Sequence, residues 1–188
     1  VKLDYLYPDP TLSVLWRSRL KKQFSNSFLI GISWIGGSVP FQKNAKSLSI
    51  EDFYPLLKTP GCTFINLQYS KYHEDIEKAL NDTGVCIHDF PEIKPTVEIE
   101  NQFALISQLD LVIQVSNASL HFAGAQGKEA WALISKAHDM RWFKGETLDK
   151  TPWYPSVTLF RQNKLGTWSD TMSQIKERLN NRLKITQG

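Results

Sequence analysis

The fold is decided by residues 111–125, which are Leu111-Val-Ile-Gln-Val-Ser-Asn-Ala-Ser-Leu-His-Phe-Ala-Gly-Ala125. Residues 111–115 are mostly apolar and rich in β-branched side chains, which predicts a buried strand. The small polar residues Ser116 and Asn117 come next, and the spacing of apolar residues beyond them predicts a helix over 119–126. A buried strand that turns directly into a helix is the repeating unit of a parallel α/β sheet.

The same alternation runs through the whole chain. Strands are predicted over residues 28–34, 62–67, 85–88, 111–115, 130–134 and 157–160. Helices are predicted over 12–23, 50–58, 72–80, 97–108, 119–126 and 169–183. Alternation of this kind implies right-handed crossovers and a mainly parallel sheet with helices on both faces. The fold class is therefore α/β, with a linker and helix over 1–27 that lead into a domain over 28–188.

The composition limits the functions that need to be considered. The chain has 188 residues, long enough for one sizeable core, and its 22 basic and 19 acidic residues are scattered, which disfavours a nucleic-acid partner. No apolar run approaches the roughly 20 residues of a membrane span. Cys62 and Cys86 lie in apolar stretches without metal-ligand spacing, which predicts buried, reduced thiols and a cytoplasmic location.

The first candidate site is the turn that follows the strand over 111–115, because open α/β sheets bind ligands beyond the carboxyl ends of their strands. Asn117 is a natural N-cap, and the backbone amides of Ala118, Ser119 and Leu120 would then offer a seat for a phosphate at the positive end of the helix dipole. Two alternatives stay open. The helix is capped with nothing bound, or His121 is a satisfied buried histidine.

Two loops supply further candidates. The loop over 35–49 carries Lys43 and Lys46, and a lysine beside a diphosphate would stabilise the charge that develops on a departing nucleotide. Both lysines are equally explained as solvated loop charges. The aromatic segments 139–143 and 152–155 could hold a base or a sugar between rings, or their rings could pin the loop to the core.

Several short motifs occur in one order along nearly the whole chain. They are Tyr5-Leu-Tyr-Pro-Asp-Pro10, Trp16-Arg17, Gly31-Ile-Ser-Trp-Ile-Gly-Gly37, Asn66-Leu-Gln-Tyr69, Asp110-Leu-Val-Ile113, His121-Phe-Ala-Gly-Ala-Gln-Gly127, Arg141-Trp142, Trp153-Tyr-Pro155 and Leu159-Phe-Arg-Gln162. Together they resemble the C-terminal domain of GT-B glycosyltransferases that follow tetratricopeptide repeats in bacterial proteins. That group is related to heptosyltransferases and more distantly to O-GlcNAc transferase.

The resemblance implies a function and a set of site residues. A domain of this kind is a Rossmann-like domain that forms one half of a GT-B fold, and it binds a nucleotide diphosphate sugar, here without a metal or another cofactor. Lys46 would stabilise the leaving group. The donor-binding residues implied in this sequence are Ser116, Asn117, Ala118, Ser119, His121, Arg141 and Trp142. The acceptor site would lie in an N-terminal Rossmann-like or tetratricopeptide-repeat region of a longer chain, so this domain alone should not be active.

The sequence departs from the family pattern at three positions. Ser116 replaces the usual aspartate, Ile35 replaces a basic residue, and Glu129 replaces a proline. The first two changes remove a partner for a ribose hydroxyl and a charge near the phosphates. A second hypothesis therefore stands beside the enzyme: a non-catalytic interaction module that keeps the fold and binds a protein or glycan.

Overall fold

The protein folds around a six-stranded, fully parallel sheet with strand order β3-β2-β1-β4-β5-β6. The structure is a computed structural model that describes residues 4–37, 46–94, 97–137, 140–143, 147 and 149–186. The strands are Phe28–Ser33 (β1), Cys62–Asn66 (β2), Ile87–His88 (β3), Leu111–Val115 (β4), Ala130–Ile134 (β5) and Val157–Arg161 (β6). The predicted α/β class and parallel sheet are confirmed.

The helices alternate with the strands along the chain, as the sequence predicts, with one helix before β1 and one after β6. They are Pro10–Gln23 (α1), Tyr54–Leu57 (α2), His73–Thr83 (α3), Ile99–Ser107 (α4), Ala118–Ala125 (α5) and Ser169–Thr186 (α6), with 3-10 helices over Ile50–Phe53 and Met140–Trp142. The single helix expected over 50–58 is instead a 3-10 turn followed by α2. Pro55 lies in the first turn of α2 and has no amide hydrogen, so an α-helix cannot run through it without losing a hydrogen bond.

Side chains that alternate along each strand build one core on each face of the sheet. From β1, Ile30 and Ile32 pack with the 3-10 turn, α2, α3 and α6. Leu29 packs on the opposite face with α1, α4 and α5. Helices therefore cover both faces, and the carboxyl ends of the strands form the edge that is left for a ligand.

Helix α1 packs into the second core through Trp16 and Leu20, each 2% exposed. Cys86 is exposed and Cys62 is only partly covered, and both are free thiols. Cys86 was expected to be buried, but it precedes the short edge strand β3, which has a neighbour on one side only.

No helix within the described ranges is long and apolar enough to cross a membrane.

Candidate functional site at the β1–β4 edge

The strand order places a topological switch point between β1 and β4. The chain leaves β1 towards β2 on one side, and it leaves β4 towards β5 on the other. The carboxyl ends of these two neighbours are Ser33 and Val115. In open α/β sheets the crevice beyond such a pair of strands is the usual ligand position, so this edge is the candidate site.

Asn117 organises the crevice with both ends of its side chain. Its Oδ1 accepts a hydrogen bond from the amide of Leu120 at 3.3 Å, which confirms it as the N-cap of α5. Its Nδ2 donates to Ser33 Oγ at 2.8 Å across the gap between β4 and β1. Ser33 Oγ in turn donates to Gln68 Oε1 at 2.7 Å, and Gln68 also accepts from the amide of Ile35 at 2.9 Å. One polar network therefore fixes the ends of β1, β2 and β4 relative to one another.

The first turn of α5 offers fewer amides than the sequence suggested. Leu120 was expected to direct its amide towards a ligand, but that amide is bound to Asn117 because the N-cap side chain reaches it. The amides of Ala118 and Ser119 belong to the same turn and have no acceptor within the helix. The Ser119 side chain is 1% exposed, with Oγ 2.8 Å from Asn117 Oδ1, so it supports the cap from inside. Ala118 is exposed at the first position of the helix.

The segment that carries Lys46 runs beside the same edge. The amide of Leu48 donates to the carbonyl oxygen of Trp34 at 2.9 Å, and Gly36 donates to Ser47 Oγ at 3.0 Å. A Cβ atom placed on Gly36 would lie 3.1 Å from the Ser116 carbonyl oxygen and 3.6 Å from Lys46 Cβ. The absence of a side chain at Gly36 therefore lets the chain just beyond β1 pass close to the Ser116 carbonyl oxygen, just before α5, and Lys46 lies beside Gly36. Lys46 is half-buried. Lys43 lies outside the described residues.

An aromatic stack borders the other side of α5. His121 stacks on Trp142 with ring centroids 5.1 Å apart, and its Nδ1 lies 2.9 Å from the Tyr154 hydroxyl. Trp142 is fully buried, and its indole N–H donates to Ser116 Oγ. Any contact of Trp142 with a donor stays a prediction, and the ring has no exposed surface in this structure. Arg141 is exposed, and its carbonyl oxygen accepts from Trp153 Nε1 at 2.9 Å.

A cavity of about 290 Å³ opens next to the switch point, beyond the ends of β2 and β3. Its polar wall includes Gln68, Tyr72 and Asp89, and Gln68 ties it to the network around Asn117. The Asp89 carboxylate accepts from the Tyr72 hydroxyl and from Asn66 Nδ2, both at 2.9 Å. Burial and this hydrogen bond to Asp89 raise the pKa of Tyr72 to about 12, so Tyr72 stays a neutral hydroxyl at physiological pH.

The three departures from the family pattern fall in different places. The Ser116 hydroxyl accepts from buried Trp142, so the indole N–H keeps an acceptor where the usual aspartate is missing. Ile35 packs against the core on one face of the sheet. Glu129 lies just before β5, at the opposite edge of the sheet, where it accepts from Trp131 Nε1 and Arg182 Nε at 3.3 Å. Glu129 is therefore remote from the candidate site.

Three residues at this edge were not among the predicted site residues: Ser33, Gln68 and Asp89. Gly36 and Tyr154 lie within the predicted candidate segments 35–49 and 152–155. Polar residues directly after predicted strands were the available signal for Ser33, Gln68 and Asp89, since strand ends of a parallel sheet share one edge. Within the described ranges no group of three or more residues is arranged to hold a metal ion.

Comparison with known proteins connects this geometry to glycosyltransferases at the level of fold. No protein-family model matches the chain. Protein FlbA of Caulobacter vibrioides is 31% identical over 171 residues, which cover 91% of this chain and 28% of FlbA. The chain therefore corresponds to little more than a quarter of that relative.

Two solved structures share the architecture. A glycosyl transferase family 9 protein from Veillonella parvula has a TM-score of 0.63 and 14% identity, over 86% of this chain and 44% of its own. The ADP-heptose LPS heptosyltransferase II of E. coli has a TM-score of 0.57 and 17% identity, over 100% of this chain and 57% of its own. At these identities the likeness establishes the fold: the chain has the Rossmann-like α/β architecture that both glycosyltransferases contain.

Proposed function

We propose that this chain is the nucleotide-sugar-binding part of a glycosyltransferase. The observation that carries the proposal is the convergence, at the β1–β4 switch point, of the capped N-terminus of α5 and the Lys46 segment, which both lie close to Gly36. A helix N-terminus and a lysine both favour a phosphate group, and they come from separate parts of the chain. The fold shared with two glycosyltransferases supports the same function.

The cavity beyond β2 and β3 suits the nucleoside of such a donor. Tyr69 and Tyr72 provide ring surface, while Gln68 and Asp89 provide hydrogen-bonding groups for ribose or base. Gln68 belongs both to this cavity and to the network that reaches Asn117. A nucleoside in the cavity would therefore direct its diphosphate towards the amides of Ala118 and Ser119.

The proposed reaction breaks the bond between the anomeric carbon of the sugar and the β-phosphate oxygen. The electron pair goes to that oxygen, and the Lys46 ammonium group stabilises the resulting charge. The acceptor oxygen forms the new bond to carbon and gives its proton to a base. We place that base and the acceptor site in another part of a longer protein, because the chain covers only 44% and 57% of the two solved glycosyltransferases. Association with tetratricopeptide repeats and a cytoplasmic location belong to this proposal.

Calorimetric titration with UDP, GDP and ADP tests the proposal directly. At least one of the three should bind with a Kd below about 1 mM, while the matching nucleosides without phosphates should bind much more weakly. The difference is expected because the helix N-terminus and Lys46 both act on the diphosphate. Equal binding of nucleotide and nucleoside would contradict the phosphate site.

The substitution Ala118→Glu should separate binding from stability. Ala118 is exposed at the first position of α5, so the new carboxylate fits the surface and interacts favourably with the helix dipole. The melting temperature should therefore stay constant or rise slightly. A carboxylate beside the diphosphate would repel it, and we expect the Kd to rise by about tenfold or more.

Ala118→Gln is the matched control, since glutamine has the size of glutamate without its charge. Calorimetry should show near-parental nucleotide affinity for this variant. Loss of binding in both variants would mean that bulk at Ala118 blocks the site, and unchanged binding in both would place the diphosphate elsewhere.

An interaction module is the second candidate function, and one surface favours it. Met140, Phe143 and Trp153 are 85%, 46% and 53% exposed, and the rings of Phe143 and Trp153 lie 5.9 Å apart. Exposed apolar clusters of this kind often mark protein contacts. If none of the three nucleotides binds, this candidate replaces the glycosyltransferase.

A further inference from the structure

The Tyr154 ring packs on α5 at Gly124, where any residue with a side chain would collide with the ring. A Cβ atom on Gly124 would lie 2.4 Å from Tyr154 Cγ and 2.6 Å from Cδ1, so the phenol ring rests directly on the helix at that residue. The neighbouring residues Ala123 and Ala125 are buried, with 0% and 4% exposure, while Gly124 accommodates Tyr154.

The segment before α1 holds the Tyr154 ring from another direction. The amides of Tyr5 and Leu6 donate to the carbonyl oxygen of Ala125 at 3.0 and 3.1 Å, which ties this segment to the last turn of α5. The Tyr5 ring stacks on Tyr154 with centroids 6.3 Å apart and an interplanar angle of 15°. Tyr154 is thus packed against both α5 and the N-terminal segment.

The Tyr154 hydroxyl points to one nitrogen of His121. The two atoms are 2.9 Å apart, and Nδ1 is the nitrogen involved. Burial first, and the interaction with the Tyr5 side chain second, raise the pKa of Tyr154, so its hydroxyl keeps its proton. In a neutral histidine, the hydrogen bond made by one ring nitrogen determines which nitrogen carries the proton.

We propose that Tyr154 is a positioning residue that donates its hydrogen to His121 Nδ1, so that the neutral imidazole carries its proton on Nε2. The position of the proton follows from the contact between Tyr154 and His121. Only its use rests on the proposed function: the Nε2–H group would face a diphosphate beside the first turn of α5. An N–H donor suits a diphosphate, whereas the other tautomer would present a lone pair and repel it. The stack on Trp142 at 5.1 Å fixes the plane of the ring, and Tyr154 fixes its proton.

Nitrogen NMR of 15N-histidine-labelled protein tests the assignment without any ligand. The chain has four histidines, and the His121 signals are identified by their loss in His121→Gln. Above the pKa of the ring, the parent should show a protonated Nε2 and an unprotonated, hydrogen-bonded Nδ1. Tyr154→Phe keeps the ring and removes the hydroxyl, so the His121 nitrogens should shift towards a mixture of both tautomers.

Gly124→Ala provides a second perturbation that leaves both partners chemically intact. Alanine is a better helix former than glycine, so α5 should persist, but the added methyl group displaces the Tyr154 ring and should shift the His121 nitrogens as Tyr154→Phe does. Tyr54→Phe is the matched control. It removes a hydroxyl that donates to Asp82 at 2.7 Å between α2 and α3, on the opposite face of the sheet from Tyr154, and it should leave His121 unchanged.

Nucleotide titration adds a functional measurement. Tyr154→Phe should raise the Kd for the best nucleoside diphosphate about threefold to tenfold, the size expected for one neutral hydrogen bond. Protonation of Nδ1 in the parent, or identical His121 shifts in the parent and Tyr154→Phe, would overturn the assignment. The NMR measurement does not depend on nucleotide binding, so failure of the proposed function and failure of the Tyr154 assignment are separate results.

Discussion

Replacement of Trp142 by alanine should lower the free energy of unfolding by about 3–5 kcal/mol, as for other fully buried aromatic residues. Trp142 has 0% exposure and packs against the β4–β5 side of the second core. Its loss would leave a large void, take the indole N–H from Ser116 Oγ, and remove the surface on which His121 stacks. Chemical denaturation followed by circular dichroism measures the change.

Trp153→Ala is the matched control, because the two tryptophans lie in the same aromatic region of the chain. Trp153 is 53% exposed and contributes one hydrogen bond to the Arg141 carbonyl oxygen, so its removal should cost no more than about 1 kcal/mol. A small effect of Trp142→Ala, similar to that of Trp153→Ala, would contradict the buried position of Trp142.

The central strands could be predicted from sequence because burial on both faces leaves a strong signal. Strand β4 and strand β5 have the predicted bounds, and β1 and β2 end one residue earlier than expected. The edge strand β3 covers two residues where four were expected, since a strand with one neighbour has fewer pairing constraints. Local apolar runs therefore determine the interior of this sheet better than its margin.

The strand order could not be predicted in the same way, although the site depends on it. Alternation of strands and helices indicates a parallel sheet, but several orders satisfy it. The observed order makes β1 and β4 neighbours, which brings Ser33 within 2.8 Å of Asn117 although 84 residues separate them in sequence. No local pattern reports a contact of that sequence separation.

The direction in which each side chain points could not be predicted from the sequence either. Asn117 was predicted as the cap of α5, and the structure confirms it. The second bond of Asn117, to Ser33, and the use of Ser116 by Trp142 depend on tertiary packing alone. The aromatic segments 139–143 and 152–155 also show that side-chain direction is not encoded locally. The sequence allowed their rings either to hold a ligand or to pin the loop to the core, and in the structure Trp142 is buried while Trp153 is exposed.

Replacement of Lys46 by alanine should raise the Kd for a nucleoside diphosphate by about one to two powers of ten. The reason is the loss of a charge-assisted contact to phosphate, worth roughly 1.5–3 kcal/mol. Lys46 lies beside Gly36, which itself passes close to the Ser116 carbonyl oxygen just before α5, so the Lys46 side chain starts from the correct edge of the sheet. Calorimetry with the nucleotide that binds the parent best gives the measurement, and binding of the matching nucleoside should not change.

Two lysines serve as controls for this result. Lys58 follows α2 at the opposite edge of the sheet, and Lys43, which lies outside the described residues, shares the loop over 35–49 with Lys46. Lys58→Ala and Lys43→Ala should both bind nucleotide as the parent does. If Lys46→Ala also matches the parent, Lys46 is a solvated loop residue and the helix N-terminus alone must hold the phosphates. If all three variants weaken binding equally, the effect is one of overall charge, because a specific contact would single out Lys46.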